Sequence, residues 1–311
     1  MTRMPGRRPH ALRSPTLLLL LLPACATVPV QGPAAEAAVA AAEAAVTAGD
    51  HATALVTLEP LAEEACPKRL RDRRDLTQAL ALLGQGETWD AWLVLEQFPD
   101  LYPYSELRPT VMQKVWEIGL ALSNSDRGFL FFWSDRRASR TVFEHLVSRH
   151  PDSEHLDDAL RLLGDMAFAD SNHDLAQRRY RQLMLDRPES EWVAYAQYRF
   201  AMSIVQSLEG PLYDLDRMQQ GERELRDYLD TRPENVEFAR SAAAALLQLR
   251  SWQVERHLAV AGFYRRIDNV AGQQHHLERA ADPAFAGTER HAEAIAARDA
   301  LRAASASGGT P

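Results

Sequence analysis

The sequence predicts an all-α protein, built as a right-handed superhelical solenoid of helical hairpins. Glycine is scarce, at 15 of 311 residues, and the 46% apolar content leans on Ala and Leu rather than on Val, Ile and Thr. Those side chains lose little rotamer freedom in a helix. A phrase also recurs around three prolines: Pro151-Asp152-Ser153-Glu154, Pro188-Glu189-Ser190-Glu191 and Pro233-Glu234-Asn235. Twelve residues before each proline stands a small residue (Ser139, Ala176, Gly221), eight before it a large apolar one (Phe143, Tyr180, Leu225), and five before it Leu146, Leu183 or Tyr228. Crossing helices need that alternation, one position for close approach and one to fill the groove. With 25% charged residues and 2 cysteines, a disulfide-stapled miniprotein, a collagen-like fibre and a wholly disordered acidic chain are excluded.

Taken in order, residues 1–24 are expected to be a signal peptide rather than part of the fold. Arg3, Arg7, Arg8 and Arg13 form a cationic start, and the apolar run from Leu17 to Leu22 is too short to span a bilayer. The run ends Leu22-Pro23-Ala24-Cys25, which is similar to the bacterial lipobox, whose cysteine is lipidated and becomes the new N-terminus. An ordinary secretory signal with an incidental cysteine is the alternative. Cleavage before Cys25 leaves 287 residues and, with four arginines and no acid removed, shifts the formal charge from −8 to −12. Such a chain is repelled by phosphate backbones, which argues against a nucleic-acid partner. Of the 35 basic residues only Lys68 and Lys114 are lysines, a bias that points to codon usage rather than to a phosphate-reading surface. Cys66 is then the one remaining free thiol, so no internal disulfide is expected. Acyl chains contribute about 0.8 kcal/mol per buried methylene, so several together anchor stably.

Residues 25–33 read as the lipidated end and a Pro-containing linker, 34–103 as N-terminal helical hairpins, and 104–304 as further hairpins closing with long helices. Gly49-Asp50-His51, followed by Ala54 and Leu58, has the turn and second-helix pattern of one unit. A second hairpin over 69–98 turns near Gly84 and Gly86, and Tyr102 and Tyr104 are expected to pack at the junction after it. A third runs over 110–150. The 151–188 unit is the clearest: Leu163-Gly164 lets its first helix approach Ala176 and Tyr180 on its second, with Ser153 and Ser190 as expected N-caps. In the next unit, extra length sits around Gly210-Pro211. The intervals of 37 and 45 residues between the three prolines compare with the 34 of a tetratricopeptide repeat. Val236 to Arg266 then reads as one helix or two abutting helices, followed by helices over 269–280 and 288–304 and a disordered tail over 305–311.

Catalytic spacing is not visible. Gly84-Gln85-Gly86 lacks a following Lys-Ser/Thr and reads as a turn. His275 and His276 are adjacent, so they point to different helix faces, and His145, His150 and His155 straddle a helix break where solvated or capping roles are expected. Asp157-Asp158 beside Arg161 reads as a solvated charge pair. No cofactor or metal is called for. The unusual stretch is Phe129, Leu130, Phe131, Phe132 and Trp133, five bulky apolar residues inside the 110–150 hairpin. They read either as a filling for their own groove or as a contact surface.

A lipobox cysteine, about five tetratricopeptide-like hairpins, a Gly/Pro insertion and a long late helix together resemble the BamD (YfiO-like) family of outer-membrane β-barrel assembly lipoproteins. The most specific stretch is Glu255-Arg256-His257-Leu258-Ala259-Val260-Ala261-Gly262-Phe263-Tyr264-Arg265-Arg266. It is similar to the family's acidic-x-x-Leu-x-Val-Ala-x-Phe-Tyr run with its basic end. The family usually has a second acid where this chain has His257, and a Gly-aromatic turn where it has Ile267-Asp268-Asn269-Val270. The resemblance covers roughly residues 34–281, most strongly from 138 onward. It implies a non-catalytic scaffold, lipid-anchored on the periplasmic face of the outer membrane. Its partners would be an Omp85-type insertase, unfolded barrel substrates and other assembly lipoproteins, with Glu255, Tyr264, Arg265 and Arg266 as docking residues. Phe263 and Tyr264 as core, and Arg265 and Arg266 as a solvated face, are the structural alternatives. Ala26 after the cysteine, rather than Asp, agrees with outer-membrane sorting as described in that family. Two other roles compete: a repeat lipoprotein coordinating envelope constriction or peptidoglycan synthesis, and a regulatory subunit of an envelope enzyme.

Overall fold

A computed structural model describes residues 32–61, 65–124, 128–129 and 133–306; the signal peptide, Cys25, the central part of the aromatic stretch and the last five residues lie outside the described residues. Among the described residues the chain is all-α apart from one two-residue ladder, and its helices pack in chain order. The first pair is α1 (Gly32–Thr47) and α2 (His51–Leu58), the second α3 (Arg71–Gln85) and α4 (Thr88–Leu95). A single turn, α5 (Phe98–Leu101), leads to α6 (Arg108–Ser123), the paired β1 (Gly128–Phe129) and β2 (Trp133–Ser134), and α7 (Asp135–Arg149). The next pairs are α8 (Leu156–Ala169) with α9 (His173–Asp186), and α10 (Val193–Gln206) with α11 (Leu215–Asp230). The long α12 (Val236–Arg266) then carries α13 (Val270–Ala280) and α14 (His291–Ala306). No helix of the described residues is long and apolar enough to cross a membrane.

Every residue of the three proline-anchored columns is buried, from Ser139, Phe143 and Leu146 through Gly221, Leu225 and Tyr228. The same columns occur a fourth time, before Pro103, where Ala91, Leu95 and Phe98 are also buried. Small residues sit where helices touch. A Cβ on Gly164 would lie 2.6 Å from the Tyr180 ring, and one on Gly119, the matching place in the α6–α7 pair, 2.4 Å from the Phe143 ring. Filling each groove with a fully buried aromatic or aliphatic side chain contributes about 1.5–3 kcal/mol. The core is a succession of local clusters, one centred on Trp92 and Phe143, the next on Tyr180 and Phe200, the next on Leu225 and Leu249.

Several local expectations are corrected. The linker is shorter than expected, because Gly32 and Pro33 already belong to α1, and α14 runs through Ser305 and Ala306. Ser153 and Ser190 are not the N-caps; His155 and Trp192 hold those positions. Each serine hydroxyl instead accepts the N–H two residues on, at 3.2 and 3.1 Å, shaping the turn before the helix. Ser105 does the same for Leu107. Tyr102 packs as expected, edge-on to Phe98 with its hydroxyl 2.6 Å from Asp75 Oδ2, whereas Tyr104 is 96% exposed. At the Gly49-Asp50-His51 turn, Asp50 caps α2, its carboxylate accepting Thr53 N–H.

Candidate partner-binding surface

The surface is built on the second half of α12, which is fixed to its neighbours by polar contacts. Glu222 of α11 accepts Arg250 Nε at 2.9 Å and Gln253 Nε2 at 2.7 Å, setting the register of the two helices. Arg256 donates to the carbonyls of Leu212 and Tyr213 at 2.7 and 2.6 Å, which clamps the insertion around Gly210-Pro211 onto α12. His257 is buried, and its Nδ1 lies 3.1 Å from Nδ1 of His276 on α13. Burial holds both imidazoles below their usual pKa, reinforced at His257 by His276, Arg279 and Arg256, which leave it at about 4, and at His276 by His275, Arg256 and Arg279. In the neutral pair one Nδ1–H donates to the other's lone pair. Adjacency leaves the His275 and His276 rings edge-on to each other, while the hydrogen-bond partner of His276 is across the hairpin.

Tyr264 stacks on His276, with centroids 5.6 Å apart and rings 17° from parallel. Its ring lies where a Cβ on Gly272 would come within 2.5 Å, so the α12–α13 crossing needs glycine there. Tyr264 therefore fixes the hairpin that displays the docking candidates. Arg265 and Arg266 are exposed, and neither guanidinium pairs with a carboxylate among the described residues. Phe263 and Ile267 beside them are 49% and 53% exposed, so Phe263 is not a core residue. Glu255 is half-buried and acts on Arg290 at the start of α14. Arg265 is ten positions further on, about 15 Å along the axis, so the structure does not gather these candidates into one cluster. What stands exposed at the end of α12 is Phe263, Arg265, Arg266 and Ile267, a mixed apolar and cationic rim in which helical spacing sets Phe263, Arg266 and Ile267 on one side and Arg265 on the other; exposure of Ile267 was not legible from the motif.

A second feature lies between α8 and α10. Asp157 accepts the Ser190 hydroxyl, and Asp158 accepts Trp192 Nε1 at 2.9 Å, so this pair joins two hairpins rather than standing solvated. Asp165 Oδ1 accepts both the Tyr180 and Tyr195 hydroxyls at 2.7 Å, while Arg161 meets its other oxygen at 3.2 Å. Arg161 also lies over Trp192, 4.2 Å from the ring centre, and Arg199 over Phe168 at 3.8 Å. Burial and the Asp165 charge push both tyrosine pKa values far up, so both hydroxyls stay donors. The arrangement is a lock between successive hairpins.

The histidines at the helix break are not solvated. His150 is 1% exposed, His145 meets Trp92 edge-on at 4.8 Å, and His155 stacks on Trp116 while its Nε2 lies 2.8 Å from Gln113 Oε1. Cys66 is buried, which pushes its thiol pKa up. In the aromatic stretch, Gly128 pairs with Ser134 and Phe129 with Trp133 in an antiparallel ladder. Leu130, Phe131 and Phe132 lie outside the described residues, as does Cys25. Among the described residues, no three His, Cys, Asp or Glu side chains converge as a metal-binding group. The chain matches no protein-family model and no curated protein.

Proposed function

We propose that this protein is a non-catalytic, lipid-anchored scaffold of outer-membrane β-barrel assembly. It works as a right-handed solenoid on the periplasmic face of the outer membrane, where it binds an Omp85-type insertase and, with it, unfolded barrel substrates and other assembly lipoproteins. The observation that carries the reading is the rim at the end of α12. Phe263, Arg265, Arg266 and Ile267 stand exposed on a hairpin whose register is fixed by Glu222, Arg256 and the His257–Tyr264–His276 stack. A rigid mount with unpaired arginines and exposed apolar groups suits a protein partner, since aromatic residues and Arg are enriched at interfaces. The lipobox-like Cys25 and the hairpins packed in chain order support the same reading.

The test is crosslinking and affinity capture of the tagged protein from native envelopes, followed by mass spectrometry. An Omp85-type protein should dominate the eluate and fall on the order of tenfold in an Arg265→Glu/Arg266→Glu variant, as expected for reversed charges at an interface. Recovery of peptidoglycan or Tol–Pal factors without it would hand the role to envelope constriction, and loss of a partner's enzymatic activity on depletion would favour a regulatory subunit.

A further inference from the structure

We infer that the turn leading into α3 is a second membrane contact, binding anionic phospholipid headgroups beside the lipid tether. The inference rests on the proposed lipidation of Cys25. Only six residues separate Cys25 from Gly32, where α1 begins, and the seven steps between the two reach at most about 25 Å when fully extended. The start of α1 is thus held close to the headgroups. Arg69 is the residue found there: its Nη2 would lie 3.6 Å from a Cβ on Gly32. Around it the sequence reads Lys68-Arg69-Leu70-Arg71-Asp72-Arg73-Arg74, holding one of the two lysines in the chain.

The charges of this turn are only partly used internally. Arg69 pairs with Glu36 and Arg73 with Glu43, which ties α3 to α1. Arg74 pairs with Asp75 and points into the protein, toward Leu61 O. Lys68 is exposed and Arg71 half-buried, with Nε donating to Cys66 O; neither meets a carboxylate among the described residues. Leu70 at the N-cap of α3 offers no side-chain acceptor, and the first turn carries Arg71, Arg73 and Arg74 at the positive end of the helix dipole. Cations there are disfavoured unless an anion offsets them. The one acid of that turn, Asp72, is occupied by the Ser105 hydroxyl and by Arg73 N–H. Elsewhere the mature chain is strongly acidic, so an anionic surface attracts this turn and repels the bulk, which orients the hairpins away from the bilayer.

The test uses the full-length acylated protein on vesicles of phosphatidylcholine alone or mixed with phosphatidylglycerol. Amide exchange over residues 65–73 should slow on the mixed vesicles only, and return to the phosphatidylcholine rate in high salt and in Lys68→Glu/Arg71→Glu. A milder Lys68→Gln/Arg71→Gln variant, checked by circular dichroism, serves if the reversal unfolds the hairpin. Replacing Glu63 and Glu64, the acids just before the turn in sequence, by Gln should strengthen the protection. Equal exchange on both vesicles overturns the inference. If mass spectrometry finds Cys25 unacylated, the anchoring reading fails by itself. The unacylated chain floated with the same vesicles then decides: flotation with the mixed vesicles that the double variant loses supports the contact, and its absence overturns it.

Discussion

His145, His150 and His257 show what a one-dimensional reading cannot supply. Their spacing was visible, but burial is decided by which helices cross, and all three ended against packed neighbours. Burial, with Arg149 beside His145, His145 and Arg108 beside His150, and His276 with three further cationic or titratable neighbours beside His257, lowers each from the usual 6.5 to about 4. The unfolded imidazoles take up protons below about pH 6.5 while the folded ones remain neutral, so protons favour unfolding. Stability is therefore complete above that pH and is lost as pH falls toward about 4. Urea midpoints measured across this window should decline, and the decline should be shallower in His150→Leu, which removes one of the three groups. An acid limb unchanged in that variant would show that His150 is already protonated in the fold.

Helical hairpins were legible because their packing is periodic, and the columns before Pro151, Pro188 and Pro233 all proved buried. The fourth copy, before Pro103, is less legible because the α6–α7 connection, carrying the β1–β2 ladder, stretches the interval to Pro151. The serine turns were placed two residues from the true helix starts, since a Ser ahead of acids satisfies the pattern of a cap and of a preceding turn equally. The end of α12 was legible as a motif, but which of its residues face outward was not, because Tyr264 and His257 are turned inward by α13. Element packing predicts opposite outcomes for two glycines. Gly164→Ala forces a Cβ against the buried Tyr180 ring, held by its bond to Asp165, and overpacking of about 1–3 kcal/mol outweighs a helix-propensity gain of up to about 1 kcal/mol. Gly262 on α12 has no neighbour within 4 Å of its would-be Cβ, so Gly262→Ala should stabilise by about 0.5–1 kcal/mol. Thermal melts of the two variants should move in opposite directions; a shift of the same sign would mean that the α8–α9 crossing yields to the added methyl.

At the scale of the molecule, a core made of successive local clusters has no single centre, so stability should vary along the chain. The middle is the most strongly joined. Between α8 and α10, buried apolar packing is reinforced by Asp165 with its two tyrosines and two arginines, and by Ser190 and Trp192 reaching back to Asp157 and Asp158. The C-terminal end rests on much less. Beyond the first half of α12, the clusters centre on Val254, Ala280 and Ala294 and on Ala261, Leu277 and Leu301, mostly small side chains that bury little area each. Native-state hydrogen exchange should therefore show amides of α13 and α14 opening at lower free energy than those of α8, α9 and α10, with the second half of α12 following α13. That order matters for the proposed docking rim, because Arg265 and Arg266 keep their placement only while Tyr264 is stacked on His276. A bound partner covering the rim should then slow exchange in α13 as well as in α12, although α13 need not be touched. If all helices instead exchange through one global opening, the clusters act as a single cooperative core and the local coupling of rim to α13 is lost as an explanation.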